Sequence, residues 1–408
     1  MKTSSPSNGV GAPRQLAWLS LAMFLGMTLW FSATAATAPL VAEFQLTPGD
    51  AAWLTMAVQG GFVLGTLASA LVTLPDLINP RHLFAIGCAV GAVANALLVL
   101  VRGAPALIAL RVVTGIALAC VYPPGMKIAA GWFEQRRGAA LGILIGALTI
   151  GSAFPHLLAS IGATIAWRTL ILMASGLALG GSIVVVRLVG DGPYVATSAR
   201  FDPRAAAQVF ADRGTRLATL GYLGHMWELY AMWTWMAAFA TASLLPLSRI
   251  ATAPASRAGS AIAFLTIGSG AIGSAATGWW ADAIGKARIA RWAMIVSGAC
   301  AASSGFVYGA PRIVLALFAV VWGVAVVADS AQLSALVAQY SPRDHVGTAL
   351  TIQTCLGFLL TMASIRLVPV FAHAVGWQWT FLLLVPGPLL GAMALANLDD
   401  RMPSRAPV

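Results

Sequence analysis

Twelve stretches of this 408-residue chain are each about twenty residues long and almost free of charge. Short breaks marked by proline, glycine, asparagine or charge separate them. A helix rises about 1.5 Å per residue, so about twenty apolar residues cross a hydrocarbon core about 30 Å thick. The runs lie at roughly 15–39, 53–74, 83–101, 105–126, 138–161, 167–187, 217–243, 257–280, 289–308, 312–337, 347–370 and 377–397. The expected fold is all-α, with twelve transmembrane helices. Composition points the same way: 59% of residues are hydrophobic and 9% charged, at a mean hydropathy of +0.84. A soluble domain carries about 25% charged residues, so this chain has too few to cover a surface facing water.

The net charge of +11 does not indicate nucleic acid, because the basic residues fall in short clusters between the runs. Their placement follows the excess of Lys and Arg found in cytoplasmic loops. With the N-terminus inside, 17 of the 24 lie in cytoplasmic segments and five (Arg102, Arg168, Arg249, Arg257, Arg312) lie outside. Arg111 and Arg366 lie within runs. Both termini are therefore expected in the cytoplasm, with the protein in a bacterial inner membrane. Lys2 and Arg14 precede a run ending in FSATAATAPL, which offers a small-residue cleavage pattern. That run is too long for a signal core and further spans follow, so it is read as a retained span. The four cysteines (Cys88, Cys120, Cys300, Cys355) all sit in apolar runs without metal-ligand spacing, as small buried hydrophobes.

The longest polar stretch, 188–216, divides the runs six and six. The expected organisation is a tail (1–14), a six-helix bundle (15–187), a cytoplasmic linker (188–216), a second bundle (217–398) and a tail (399–408). The halves repeat. LPDLINPRHLF follows run two and WWADAIGKARIA follows run eight; AWRTLILMASG opens run six and GWQWTFLLLVPG opens run twelve. Parallel repeats of six helices related by pseudo-twofold symmetry imply a carrier whose site lies near mid-membrane between the halves.

At these residues the chain resembles the major facilitator superfamily. The superfamily's loop signature, Gly-x-x-x-Asp-x-x-Gly-Arg/Lys-x-Arg/Lys, is matched after run eight by Gly278, Asp282, Gly285, Lys286 and Arg288. After run two it is degraded: Asp76 and Arg81 remain, Val72 replaces the first glycine and Asn79 the second. Asparagine suits a turn that needs positive φ. The resemblance implies a latch in which the aspartates and basic residues pair between helix ends. Arg111 and Gly115 resemble the fourth-span motif, which implies that Arg111, about 8 Å below the outer edge, points into a cavity. The fifth-span motif of drug–proton antiporters is kept at Gly142 and Gly151 and lost at Phe154 and Pro155. The segments LWFSATAATAPL and VYPPGMKIAAGWF are similar to the cyanate- and nitrate-permease side of the superfamily. The glycine-rich signature of nitrate carriers in spans five and eleven is not evident.

Few ionisable groups fall inside the runs: Arg111, His156, His225, Glu228, Asp329 and Arg366. A charge within the bilayer costs about 2.5–3.5 kcal/mol even on the mildest scale, so each is a functional candidate. Glu228 lies about 17 Å into run seven, close to the midplane. Hydrocarbon disfavours the charged form of a carboxylate, which suits Glu228 to taking up and releasing protons; the plain alternative is a structural hydrogen bond to a neighbouring helix. Gly221, His225, Glu228, Met232 and Trp235 form one stripe on that helix, and the resemblance makes run seven a cavity-lining helix. Asp329, with Gln332 on the same face, is a second proton site or a structural group near the cytoplasmic gate. Arg366, near the outer end of run eleven, either snorkels or joins Arg111 in attracting an anion. His156, beside Pro155, is read as a polar group stabilising a kink. Trp30, Trp227, Tyr230, Met232 and Trp235 are expected to wall the cavity, with Tyr222 and Trp233 facing lipid or helix neighbours.

The expected function is secondary active transport of a small solute by alternating access, coupled to protons and acting as a monomer in the bilayer. No cofactor, metal or nucleic acid is expected, and no Walker phosphate loop points to ATP. Import of a small organic or inorganic anion fits Arg111, Arg366 and the missing efflux motif. Proton-driven export of amphipathic compounds fits the aromatic, Met-bearing face of run seven. A membrane sensor or enzyme is a remoter alternative, since no signalling domain or reacting constellation stands out.

Overall fold

The computed structural model describes residues 11–134, 136–161, 166–194, 201–245 and 253–398, and among them there is no strand. Most of the two expected tails and part of the linker lie outside the described residues. The chain separates into two compact units, 1–198 and 199–408. The first holds α1 (Ala12–Met27), α2 (Ser32–Ala35), α3 (Thr37–Phe44), α4 (Pro48–Leu71), α5 (Leu74–Leu77), α6 (Pro80–Ala96), α7 (Ala104–Ala119), α8 (Tyr122–Trp132), α9 (Arg137–Ile161) and α10 (Trp167–Leu188). The second holds α11 (Ala206–Ala211), α12 (Arg213–Ser243), α13 (Ala253–Ile284), α14 (Lys286–Ser303), α15 (Arg312–Ala328), α16 (Ser330–Tyr340), α17 (Val346–Val375) and α18 (Pro386–Ala396), with a 3₁₀ stretch at Trp377–Leu384 before α18.

Local sequence explains several helix starts. Proline, whose missing N–H is no loss in a first turn, opens α4, α6 and α18. Thr47 and Asp50 form a reciprocal capping box on α4. Asp212 caps α12 by accepting from Thr215 N at 2.7 Å.

Nine helical segments among the described residues are long and apolar enough to cross a membrane: Pro48–Leu71, Pro80–Val99, Ala104–Trp132, Arg137–Ile161, Trp167–Leu188, Pro254–Ala281, Arg312–Tyr340, Val346–Val375 and Trp377–Ala396. The runs expected at 15–39, 217–243 and 289–308 depart from that description for identifiable reasons. The first is not one helix but three pieces, broken between Met27 and Ser32, where Leu29 N and Trp30 N turn back to Gly26 O and Met27 O. The second is the continuous 31-residue α12, whose His, Glu, Trp, Tyr and Thr side chains lower its hydropathy. The third is α14, which begins in the basic cluster Lys286, Arg288 and Arg291.

Close backbone approach fixes the packing inside each unit. A Cβ on Gly115 of α7 would lie 2.2 Å from Val58 O of α4, and one on Gly323 of α15 would lie 1.8 Å from Thr266 O of α13. Small residues at such crossings let helices touch without a hydrophobic driving force in lipid. Gly115→Ala and Gly323→Ala are each expected to lower stability by about 1–3 kcal/mol through overpacking. Thermal unfolding in detergent measures this, with Gly176→Ala, which meets open space, as the unaffected control.

Candidate functional site

Glu228 sits near the middle of α12 and is 1% exposed. Two helices satisfy its carboxylate. Trp322 of α15 donates its indole N–H to Oε1 at 2.7 Å, and Ser297 of α14 donates its hydroxyl to Oε2 at 2.9 Å. The two donors are not equivalent. An indole N–H can only donate, whereas a hydroxyl donates and accepts. Oε1 is therefore held as an acceptor, and any proton on Glu228 belongs on Oε2. Ser297 can then accept from it and turn its own hydrogen to Met294 O, 3.2 Å away. The site accommodates both protonation states without moving a helix.

One turn earlier on α12, His225 is equally buried. Its Nδ1 lies 2.8 Å from Asp329 Oδ1, at angles that fall short of a hydrogen bond. Its Nε2 lies 3.2 Å from Ser330 Oγ. Asp329 stands where α15 ends and α16 begins, and Gln332 is buried on the next turn. The structure thus brings together three of the residues singled out in the sequence, Glu228, His225 and Asp329, around α12. Ser297, Trp322 and Ser330 complete the cluster and were not singled out.

The remaining residues of the expected cavity wall make contacts with neighbouring helices. Trp235 donates to Ile365 O of α17 and Trp227 to Leu383 O, both at 3.0 Å. Tyr230 stacks against Phe358 and Trp233, with ring centroids 5.2 and 5.5 Å apart. Met232 is fully buried, and Tyr222 and Trp233 are buried among helix neighbours. In the first unit Trp30 lies 5.2 Å from the Phe62 ring. Arg366 is exposed on α17.

Arg111, in the first unit, is fully buried at the break between α1 and α2. Its guanidinium donates to Leu54 O of α4 (3.1 Å), Leu29 O (3.0 Å), Ser32 Oγ (3.3 Å), Asn95 Oδ1 of α6 (3.2 Å) and Trp30 O. The expectation of an arginine open to a cavity gives way to a clamp on peptide carbonyls. A broken helix strands carbonyls, and a planar fork of five donors suits several at once. Arg111 is spent inside the first unit, and Arg366 is exposed on the second. His156 is buried with its ring 6.3 Å from that of Phe31.

The sequence profile of the Major Facilitator Superfamily matches residues 19–252, more than half of the chain. The chain belongs to the Major Facilitator Superfamily. Membership makes it an integral membrane transporter rather than an enzyme. Among solved structures, the crystal structure of a point mutant of the nucleoside transporter NupG is similar, with a TM-score of 0.73 over 94% of this chain and 99% of that one. At 13% identity the likeness concerns the fold. The curated proteins contain no match to the sequence.

The superfamily's loop signature takes a different form from the one expected. After α4, positive φ falls on Thr73 (49°), not on Asn79 (φ −51°). Asn79 instead caps α6, accepting from Arg81 N at 2.9 Å. Asp76 and Arg81 each pair elsewhere in the first unit. Asp76 Oδ1 is 2.5 Å from Lys127 Nζ of α8. Arg81 grips Asp191 with two bonds of 2.8 Å and donates to Val189 O. The Arg81 guanidinium, aided by Asn79, holds the Asp191 carboxyl below the usual carboxylate range. After α13 the second copy is compact: helix continues through Gly278 to Ile284, and α14 starts at Lys286. Gly285, at φ 102°, makes the turn, a conformation open to glycine. Lys286 and Arg288 open α14, while the Asp282 side chain lies outside the described residues.

Proposed function

We propose that the protein is a proton-coupled secondary transporter of twelve membrane spans in two six-helix bundles, working by alternating access with both termini in the cytoplasm. Superfamily membership supports secondary transport. The observation that carries proton coupling is the carboxylate of Glu228, held on Oε1 by the Trp322 N–H and on Oε2 by a hydroxyl that can reverse its bond. His225 and Asp329, one turn away, offer a second exchangeable pair. The Asp76–Lys127 and Arg81–Asp191 pairs at the helix ends serve as latches.

The placement of the arginines bears on the substrate. Import of a small anion requires a cation free to meet it inside a buried site, and Arg111 already serves five acceptors while Arg366 is exposed rather than buried in such a site. We therefore favour an uncharged polar solute; one solved structure of similar fold is that of a nucleoside transporter.

The test is uptake into proteoliposomes under an imposed pH gradient, using labelled uridine, cyanate and nitrate. Uridine is expected to accumulate, with a protonophore collapsing the gradient and the accumulation together. Accumulation that survives the protonophore would overturn proton coupling. Accumulation of cyanate or nitrate in place of uridine would restore the anion reading.

A further inference from the structure

The second unit carries a groove of about 570 Å³ between α12, α17 and α18. Leu220, Leu223, Trp227, Leu360, Leu390 and Met393 form its walls, and Asn397 stands at one end. The groove faces outward: Leu220 is 52% exposed and Leu390 63%. Its other end is closed by the Trp227 ring, anchored through its N–H to Leu383 O and packed on Gly387.

Two features identify what fills it. The first is length. From Leu217 to Trp227, ten residues of α12 rise about 15 Å, half of a hydrocarbon core about 30 Å thick. The groove therefore runs from one interface to the midplane and stops there, the depth of one acyl chain within a leaflet. The second is charge. Residues 213, 217, 220, 224 and 227 recur every three or four positions, so they share a helix face, and 216 lies beside them. Arg213 and Arg216 thus stand in line with the groove at its open end, both exposed. Arg216 reaches Phe210 O and Ala211 O through Nη1. On the orientation proposed above, this end lies in the cytoplasm, where anionic headgroups concentrate.

We propose that this groove is a binding site for an anionic glycerophospholipid, with one acyl chain along Leu220–Trp227 and the phosphate at Arg213 and Arg216. The chain contributes the apolar contact and the arginines select the headgroup. The seat lies directly beside Glu228 in sequence.

The full-length protein in dodecyl maltoside, titrated with dioleoyl phosphatidylglycerol or dioleoyl phosphatidylcholine and read by native mass spectrometry, tests the proposal. One phosphatidylglycerol is expected to be retained over phosphatidylcholine by roughly five-fold per arginine. Arg213→Gln should remove one such factor, and Arg213→Gln with Arg216→Gln should remove the preference. Leu220→Trp, which fills the groove at an exposed position, should lower retention of both lipids. Leu317→Trp, an exposed site on α15, should not. Retention indifferent to all of these variants would overturn the site. So would a species of two chains that Leu220→Trp disperses, because a second copy would then be the occupant. The readout needs no transport, so a failure of proton coupling leaves it intact.

Discussion

Arg111→Met is expected to lower the stability of the folded protein by about 3–5 kcal/mol. The guanidinium serves five acceptors on three elements, the α1–α2 break, α4 and α6, in a place from which water is excluded. Each buried acceptor that loses its donor costs about 1–3 kcal/mol. The sum is reduced because Ser32 retains its bonds to Leu29 O and Asn95 Oδ1, and because methionine removes a buried charge whose desolvation was itself costly. Arg111→Lys is expected to recover little of the loss. An ammonium is a point charge on a flexible stem, and it cannot span carbonyls on two helices as a planar fork does. Thermal unfolding in detergent decides the matter. A methionine variant that melts with the native protein would show that Arg111 does not hold the break. A variant that folds and yet loses transport would return Arg111 to the substrate path.

This clamp also shows where sequence reading stops. The break at Met27–Ser32 contains neither proline nor glycine, so the usual helix breakers do not announce it. Its carbonyls are stabilised by an arginine some eighty residues away. The apolar runs were legible because length and hydropathy are local properties; a break sustained by a distant cation is not. Run seven illustrates the same limit differently. Its ionisable and aromatic residues marked it as unusual, and Glu228, His225 and Asp329 were each identifiable as charges out of place. Their mutual arrangement was not, because Ser297 and Trp322 lie 69 and 94 residues from Glu228 and are unremarkable in membrane helices. Turn chemistry misled at Asn79, whose side chain caps a helix instead of supplying a left-handed turn. The loop charges Asp76 and Arg81 were legible as charges that pair at helix ends; their partners Lys127 and Asp191 come from chain segments that only the fold brings near.

The two units place charges of opposite sign at corresponding junctions. In the first repeat, Arg111 on the fourth run reaches the first and third runs through Leu29 O and Asn95. In the second, Glu228 on the first run reaches the third and fourth runs through Ser297 and Trp322. Each ties together the first, third and fourth helices of its own repeat, and Arg111 reaches the second as well through Leu54 O. The chemistry differs in one respect that bears on function. A guanidinium keeps its charge at any physiological pH, so the first junction is permanent, whereas a carboxylate can exchange its proton, so the second can change state.

That difference sets the outcome for Glu228→Gln. Glutamine keeps the shape: its carbonyl accepts from Trp322, and its NH₂ donates to Ser297, whose hydroxyl turns to Met294 O. Folding is therefore expected to survive, with a melting temperature at or above that of the native protein. What is lost is a group that can exchange a proton. Accumulation of solute against its gradient is expected to fall to simple equilibration, while exchange of labelled for unlabelled solute across proteoliposomes continues at a rate within about an order of magnitude of the native protein. Glu228→Ala separates this effect from a structural one. It leaves the Trp322 N–H without its acceptor, so it should cost about 1–3 kcal/mol of stability in addition to losing accumulation. If the glutamine variant still concentrates solute under a pH gradient, Glu228 is a tie between helices and the proton travels elsewhere, with His225 and Asp329 the next residues to substitute. If it loses exchange as well as accumulation while remaining folded, the carboxylate contacts the solute itself.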